Sequence, residues 1–235
     1  MKPKAETISD LTLYITYRNY SSWSLRAWLL MRAFDIPFKE VLVPMTDDGR
    51  MAGMAGISPT GKVPCLVDQT RKLTIWESVA ITEYLAERHP ELAIWPDDIV
   101  ARATARALVA EMHAGFLPLR NECPMNLRRP AQPLAISEAA QRDMTRVESI
   151  LADCLAHSAG PFLMGSFSAL DAFYAPLLAR IETYRLSAHP AVTAFQEALD
   201  TLPAWQEWQM AAPASSPTHR SSRRNISRRC CRWTR

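Results

Sequence analysis

The stretch from Ser58 to Ser78, SPTGKVPCLVDQTRKLTIWES, constrains the fold of this chain more than any other. It contains a glycine turn, the dipeptide Val63-Pro64, two short apolar runs joined by a polar turn, and the start of an amphipathic helix. Proline has no N–H to give to a strand ladder, so it is tolerated at the first position of a strand, where its peptide bond is a candidate for the cis form. The sequence therefore predicts a β-hairpin that begins at a proline and leads into a helix.

Two binding features lie close together in this stretch. A cis bond before Pro64 would turn the N–H and C=O of Val63 outward, where an extended peptide can pair with them as an added strand does. Glu77 and Ser78 stand where the helix begins, and the free N–H groups and positive dipole of a helix N-terminus favour a carboxylate. The pattern is typical of a socket for a small acidic peptide, although a hairpin with an edge proline and a capped helix fits the spacing equally.

The segments GKVPCL and WESVAITEYL, at this separation, resemble the glutathione-binding half of the soluble glutathione S-transferase superfamily. The resemblance extends over nearly the whole chain and implies a thioredoxin-like fold for its first part. It also implies that Val63, with Lys62 and Pro64 beside it, pairs with the cysteinyl backbone of glutathione. Glu77 and Ser78 would then hold the γ-glutamyl end of the same ligand.

The segment YSSWSLR follows a predicted first strand and opens a helix near Ser22 to Ser24. Taken alone, serines at such a turn are helix N-cap residues. The superfamily, however, places at this turn the Ser, Tyr or Cys that contacts the glutathione sulfur, and S-S-W-S-x-R resembles the zeta-class motif S-S-C-S-x-R. This alignment selects Ser21 as the catalytic serine, with Ser22 beside it as a second candidate. Trp23 replaces the zeta cysteine, which puts the isomerase activity of zeta enzymes in question.

The order of the periodic segments divides the chain into two parts. Residues 1–88 read strand-helix-strand, loop, hairpin and helix, which predicts a thioredoxin-like α/β domain with a four-stranded mixed sheet and helices on both faces. The strand from Phe38 to Val43 is expected close to the interior of that sheet. Residues 89–98 are expected to be a linker. Residues 99–212 have helical periodicity throughout, beginning with a helix over Ala101 to Leu119, and predict an all-helical bundle.

Two features of the helical part bear on function. Ser168 to Asp171 has the form of a capping box, which the resemblance assigns to folding rather than chemistry, so Asp171 is excluded from the active site. Met112 and Phe116 lie about one turn apart on the first helix, a spacing that suits either the bundle core or the wall of an apolar pocket. The resemblance favours the pocket, and together with Trp23 they are the predicted electrophile-binding residues.

Several functional classes find no support in the sequence. No run of about 18 apolar residues is present, so we expect no membrane partner, and the charged N-terminus does not resemble a secretory signal. The glycines form no nucleotide-binding motif, and His113 has no acid or nucleophile at a recognisable spacing, which excludes a hydrolase triad. Five cysteines without CxxC or Cys/His spacing fit a cytoplasmic protein without a metal.

Residues 213–235 differ in composition from all that precedes them. From Ala214 onward the chain has seven arginines and no acid, which leaves 20 basic and 24 acidic groups in the remainder. We predict a basic disordered tail, or the product of a shifted reading frame, and expect no nucleic acid partner for the folded body.

These observations predict a cytoplasmic glutathione S-transferase that activates glutathione as a thiolate for attack on a small apolar electrophile. The resemblance implies a homodimer. One alternative is a zeta-like glutathione-dependent cis–trans isomerase of the maleylacetoacetate isomerase type. Another is a non-catalytic binding protein with the transferase fold, of the stringent starvation type.

Overall fold

The computed structural model of the protein describes residues 9–46 and 48–212, so the predicted tail lies outside the described residues. The first part of the chain contains four strands and two helices, β1 (Leu11–Ile15), α1 (Ser22–Ala33), β2 (Lys39–Leu42), β3 (Cys65–Asp68), β4 (Leu73–Trp76) and α2 (Ser78–Arg88), with a short 3-10 turn at Met54–Gly56. The second part is helical, with α3 (Ile99–Ala114), α4 (Leu117–Glu122), α5 (Glu138–His157), α6 (Ala169–Tyr184), α7 (Pro190–Asp200) and α8 (Pro203–Ala211).

The four strands form one mixed sheet in the order β2-β1-β3-β4. β1 runs parallel to β2 and antiparallel to β3, and β3 pairs antiparallel with β4. The prediction of a four-stranded mixed sheet is confirmed. The expected interior position of β2 was wrong, because β2 is an edge strand whose apolar end packs into a small separate cluster with Met54 and Cys65 rather than into the main core.

Helix α1 connects the sheet to the helical part. It packs against β1 and α2 on the sheet side and against α6 and α8 on the other. Leu25, Trp28 and Leu29 have no exposed surface, and the ring of Trp28 lies 5.1 Å from that of Trp208 in α8. Because α1 is buried from both sides, the turn that precedes it is held rigidly between the two parts.

Helix α6 is buried on nearly all sides, as its apolar sequence predicts, and its N-terminus carries the predicted capping box of Ser168 and Asp171. The single helix predicted over residues 101–119 is in fact two helices, because Gly115 is extended and Phe116 adopts a left-handed backbone with φ 57°. The linker limits and the other domain limits stay predictions. Across residues 9–46 and 48–212, no helix combines the length and apolarity needed to cross a membrane.

Candidate active site

A cavity of about 360 Å³ is lined by residues of both parts of the chain. The sheet part contributes Thr16, Tyr20, Ser21, Ser22, Trp23, Met45, Met51, Thr60, Lys62, Val63, Pro64 and Glu77. The helical part contributes His113, Ala114, Leu117, Arg120, Asn121, Pro124, Met125 and Arg180. The cavity therefore combines hydroxyl, acidic, cationic and apolar groups within one small volume.

The structure brings most of the predicted site residues together in this cavity. Those that line it are Ser21, Ser22, Trp23, Lys62, Val63, Pro64 and Glu77. Ser78 follows Glu77 and is fully buried behind it. The residues drawn from the first helix of the second part do not join them.

Met112 and Phe116 lie in the main hydrophobic core and are not among the residues that line the cavity. The buried face of α3 carries Ala105, Val109 and Met112 at helical spacing, so Met112 points into the bundle. The residue that reaches the cavity is the next one, His113, because a helix turns by about 100° per residue. Both predicted residues therefore serve packing.

The hairpin and α2 present unpaired polar groups at one end of the cavity. The Val63-Pro64 bond is cis, as predicted. Within the described residues, the backbone N–H and C=O of Val63 make no hydrogen bond to another backbone group. Glu77 is exposed at the N-cap position of α2, and the buried Oγ of Ser78 has no hydrogen-bond partner in the described part of the chain.

The serines at the start of α1 have different surroundings. Ser21 is the N-cap of α1: its Oγ accepts from the N–H of Ser24 at 3.2 Å and donates to the Ser24 Oγ at 2.8 Å. Ser22 accepts a hydrogen bond from Nη2 of Arg180, at 3.3 Å, across the boundary with α6. Both hydroxyls line the cavity, but only Ser22 contacts the helical part through its side chain.

Two buried arginines, Arg120 and Arg180, line the cavity, and a third, Arg26, lies against Trp23; these three, which sequence reasoning missed, are called the cavity floor. Arg26 has no exposed surface and lies with its guanidinium carbon 4.3 Å from the ring centre of Trp23, while Arg120 lies 4.7 Å from the same ring. Burial, and next the charges of Arg120 and Arg180, hold the pKa of Arg26 well below its usual range. The floor therefore has a positive potential that favours an anion.

His113 was also missed as a cavity residue. Its Nε2 lies 4.0 Å from the Oε2 of Glu77, and its ring meets Trp23 edge-on at 5.0 Å. Burial, and next the charge of Arg26, lower the pKa of His113, which favours the neutral imidazole. His113 and Arg120 come from opposite sides of the Gly115 break, where Arg120 donates to the His113 carbonyl at 3.2 Å.

The three cysteines that the structure describes are poor nucleophiles. Burial raises the pKa of Cys65, Cys123 and Cys154 to about 11 in each case. At neutral pH these thiols are protonated, and the thiolate is the reactive form. None of these three described thiols lines the cavity.

The comparisons agree with this arrangement. The family described as the N-terminal domain of glutathione S-transferases matches residues 20–88. The chain is 28% identical over 196 residues to a probable maleylacetoacetate isomerase of Caenorhabditis elegans, covering 82% of this chain and 90% of that protein. Over residues 20–88 the chain thus matches the N-terminal domain of glutathione S-transferases, and over most of its length it is similar to that isomerase.

Solved structures extend the likeness over both parts of the chain. A maleylacetoacetate isomerase of Anaeromyxobacter dehalogenans superposes with a TM-score of 0.65 at 25% identity, covering 89% of this chain and 95% of that one. A glutathione transferase homologue from Burkholderia, solved with bound glutathione, has a TM-score of 0.68 at 24% identity and covers 87% and 98% of the two chains. The predicted resemblance and the predicted fold class are confirmed.

Proposed function

We propose that this protein is a glutathione transferase that binds glutathione in the cavity described above and activates its thiol for reaction with a second substrate. The observation that carries the proposal is a group of polar atoms at one end of the cavity: the backbone N–H and C=O of Val63, which pair with no other backbone group in the described residues, and the Glu77 carboxylate, with the unpaired Oγ of Ser78 directly behind it. A buried hydroxyl without a partner costs about 1–3 kcal/mol, a cost that a ligand carboxylate would remove. These groups match the chemistry of a small acidic peptide.

The cysteinyl and γ-glutamyl parts of glutathione each have complementary groups in this arrangement. The backbone N–H and C=O of Val63 pair with the cysteinyl residue, as an added strand would. The γ-glutamyl ammonium pairs with the Glu77 carboxylate, and the γ-glutamyl carboxylate takes the N–H groups of the α2 N-terminus and the Ser78 hydroxyl. Lys62 and Pro64 complete the wall beside this ligand.

The sulfur then lies toward the N-terminus of α1, where Ser21 and Ser22 stand. A free thiol with a pKa near 8.5 is only a few per cent thiolate at pH 7. A hydroxyl donor and a helix N-terminus lower that pKa by about two units, which corresponds to about 2.7 kcal/mol of thiolate stabilisation. The thiol proton leaves to solvent, and the sulfur lone pair attacks an electrophile held against Trp23.

The cavity walls indicate the class of the second substrate. Met45, Leu117 and Met125 supply apolar surface, whereas Arg120 and Arg180 supply positive charge. The apolar electrophile expected from the sequence accounts for the first group only. We therefore propose a second substrate that joins an apolar body to a carboxylate.

An acceptor with a carboxylate is expected to have a KM about ten- to a hundredfold lower than its methyl ester, because a charge-assisted hydrogen bond to arginine contributes about 1.5–3 kcal/mol. The measurement is the KM of matched acid and ester electrophiles at saturating glutathione. The rate of the uncatalysed reaction of each electrophile with glutathione is the control, because it measures any difference in intrinsic reactivity between the acid and the ester. Equal KM values for acid and ester would contradict an anion-binding floor.

Isomerisation is the second candidate activity, favoured by the relatives that are named maleylacetoacetate isomerases. An anionic substrate of the kind that this name denotes suits the arginines of the floor. Trp23, in place of the cysteine of the zeta motif, fills space beside the sulfur with an indole whose ring centre lies 4.3 Å and 4.7 Å from the guanidinium carbons of Arg26 and Arg120. Thiol titration separates the two activities, because conjugation consumes glutathione and isomerisation does not.

The experiment that tests the proposed function is retention on immobilised glutathione, followed by conjugation with a generic aryl halide. Retention with turnover supports a transferase, and failure to bind glutathione by calorimetry refutes the proposal. Retention without conjugation or isomerisation would favour the non-catalytic binding protein. The homodimer and the cytoplasmic location stay predictions, and a monomer mass by light scattering would contradict the first.

Glu77→Ala is expected to weaken glutathione binding ten- to a hundredfold or more, because the lost charge-assisted bond contributes about 1.5–3 kcal/mol. The melting temperature should change little, since Glu77 is exposed and has no side-chain capping bond. Calorimetry gives the Kd, and Glu87→Ala, an exposed acid near the other end of α2, is the matched control. Equal Kd values for the two variants would mean that the γ-glutamyl end is bound elsewhere.

A further inference from the structure

The hydroxyl of Ser21 is occupied inside its own turn. A serine hydroxyl has one hydrogen to donate, and the Ser21 hydrogen goes to the Ser24 Oγ at 2.8 Å. The Ser21 Oγ also caps α1 through the N–H of Ser24, and the Ser24 Oγ in turn accepts from the N–H of Thr16 at the end of β1. To donate to a sulfur, Ser21 would have to break a link in this buried chain.

The hydroxyl of Ser22 has the opposite arrangement. Its oxygen accepts from Arg180, and within the described residues its hydrogen has no acceptor. Ser22 lines the cavity and is 5% exposed, so the hydrogen can be directed only to a ligand or into the cavity. Its donor capacity is therefore available at the place where the sulfur of the proposed ligand lies.

Arg180 is held so that its guanidinium cannot turn away from Ser22. Its Nε donates to the Cys123 carbonyl and its Nη1 to the Pro176 carbonyl, each at 3.0 Å, and Nη2 is left to reach Ser22. The side chain is 3% exposed and belongs to α6, in the helical part. The planar fork of arginine fixes all three donor directions at once.

We propose that Ser22, rather than Ser21, donates the hydrogen bond to the glutathione sulfur, and that Arg180 is a positioning residue that orients and polarises the Ser22 hydroxyl from the helical part. The inference rests on the proposed glutathione site. It reverses the preference for Ser21 that the zeta-like alignment gives. A guanidinium that donates to a hydroxyl oxygen draws electron density from the O–H bond, and hydrogen bonds in such chains strengthen one another. The thiolate is stabilised accordingly, while its proton leaves to solvent water.

The first test measures the pKa of bound glutathione, from thiolate ultraviolet absorbance against pH at saturating ligand. Ser22→Ala is expected to raise this pKa by about one unit, which lowers the thiolate fraction about tenfold at pH values below the pKa. Ser22→Thr retains the hydroxyl and should stay near the wild-type value. Ser21→Ala should lower the melting temperature through loss of the cap and move the thiol pKa less. A larger pKa shift in Ser21→Ala than in Ser22→Ala, or no shift in either, would overturn the inference.

The second test asks whether Arg180 acts through Ser22. Arg180→Gln removes the charge and the fork, and should raise the thiol pKa in the wild-type background but have less than half that effect in Ser22→Ala. Additive shifts would show that Arg180 acts as a distant charge, which overturns its role as a positioning residue. Arg180→Lys retains the charge without the fork, so it should behave as Arg180→Gln does; a wild-type pKa in Arg180→Lys would also overturn that role.

Calorimetry on the same variants separates failure of this inference from failure of the proposed function. If wild-type protein does not bind glutathione, the proposed function fails and the serine assignment with it. If wild-type protein binds and the Ser22→Ala pKa is unchanged, only the present inference fails. We expect the Kd of Ser22→Ala to stay within about threefold of wild type, because one neutral hydrogen bond to sulfur contributes little to affinity at a pH where the ligand is a thiol.

Discussion

Replacing Asp171 by alanine is expected to lower the free energy of unfolding by about 3–5 kcal/mol, because two buried N–H groups lose their acceptor at about 1–3 kcal/mol each and the α6 cap is lost as well. The carboxylate accepts from the N–H of Leu163 at 2.9 Å and from the N–H of Ser168 at 2.8 Å, and it has no exposed surface. Chemical denaturation followed by circular dichroism measures the change.

Asp171→Asn is the matched variant. Its amide oxygen retains one acceptor of similar shape, so it should lower the free energy of unfolding less than Asp171→Ala does.

Asp171 also predicts a pH dependence of stability. Burial raises the pKa of Asp171 to about 6 from a usual value of 3.8, so the folded protein binds this proton more tightly than the unfolded chain does. The contribution of this group to stability therefore falls as the pH rises from 4 to 6, and Asp171→Asn should lack that slope. A stable Asp171→Ala that loses glutathione binding would contradict the assignment of Asp171 to folding alone.

The consequence of Asp171 for function is indirect. The capping box fixes the start of α6, and α6 carries Arg180 to the cavity near the other end of the same helix. Partial unfolding of α6 would withdraw the bond from Arg180 to Ser22 together with the packing of α6 against α1. Asp171 thus influences the site through the helix that it begins.

The binding residues of the sheet part could be predicted from the sequence because they lie in short local motifs of consecutive residues. Pro64 marks the start of a strand, and Glu77 and Ser78 mark the start of a helix, whichever neighbours the fold supplies. The register of β1 against β2 and β3 had no such signal. The edge position of β2 depends on which strands pair across the sheet. The four residues of β2, Lys39–Leu42, carry no pattern that specifies their pairing partner.

The helical half of the site could not be predicted, for two physical reasons. First, α3 packs into the core on one side and borders the cavity on another, so apolar periodicity locates the core face of Met112 and says nothing about the face of His113. Second, Arg120 and Arg180 come from α4 and α6 of the helical part and are buried near Arg26 of α1, although the three residues are far apart in sequence. An arginine is normally taken as a solvated surface residue, and only the fold shows that these three are buried together.

Asp68→Ala is expected to lower the free energy of unfolding by about 3 kcal/mol, near the lower end of the 3–5 kcal/mol typical for removing one partner of a buried ion pair. Asp68 has no exposed side-chain surface and accepts from Tyr84 and Arg88 of α2 and from the N–H of Arg71. Arg88 retains a second partner, Asp10, which moderates the loss. Thermal and urea unfolding measure the effect, with the exposed Asp48 replaced by alanine as the control.

The same carboxylate predicts a loss of stability in acid. Burial by itself would raise the pKa of Asp68, but the hydrogen bonds from Tyr84 and Arg71 and the charge of Arg88 outweigh it and hold the pKa at about 2, below the usual 3.8. Because the folded-state pKa is the lower one, this contribution is fully present above pH 4 and is lost as the pH falls toward 2. Asp68→Asn should therefore be less stable than wild type at pH 7 and lose less stability between pH 4 and pH 2. Parallel stability curves for the two proteins between pH 4 and pH 2 would contradict the assignment.

Asp68 also connects the two elements that carry the proposed glutathione-binding residues. It joins β3, which follows Pro64, to α2, which begins at Ser78, so its hydrogen bonds hold the two halves of the proposed binding site in their relative positions.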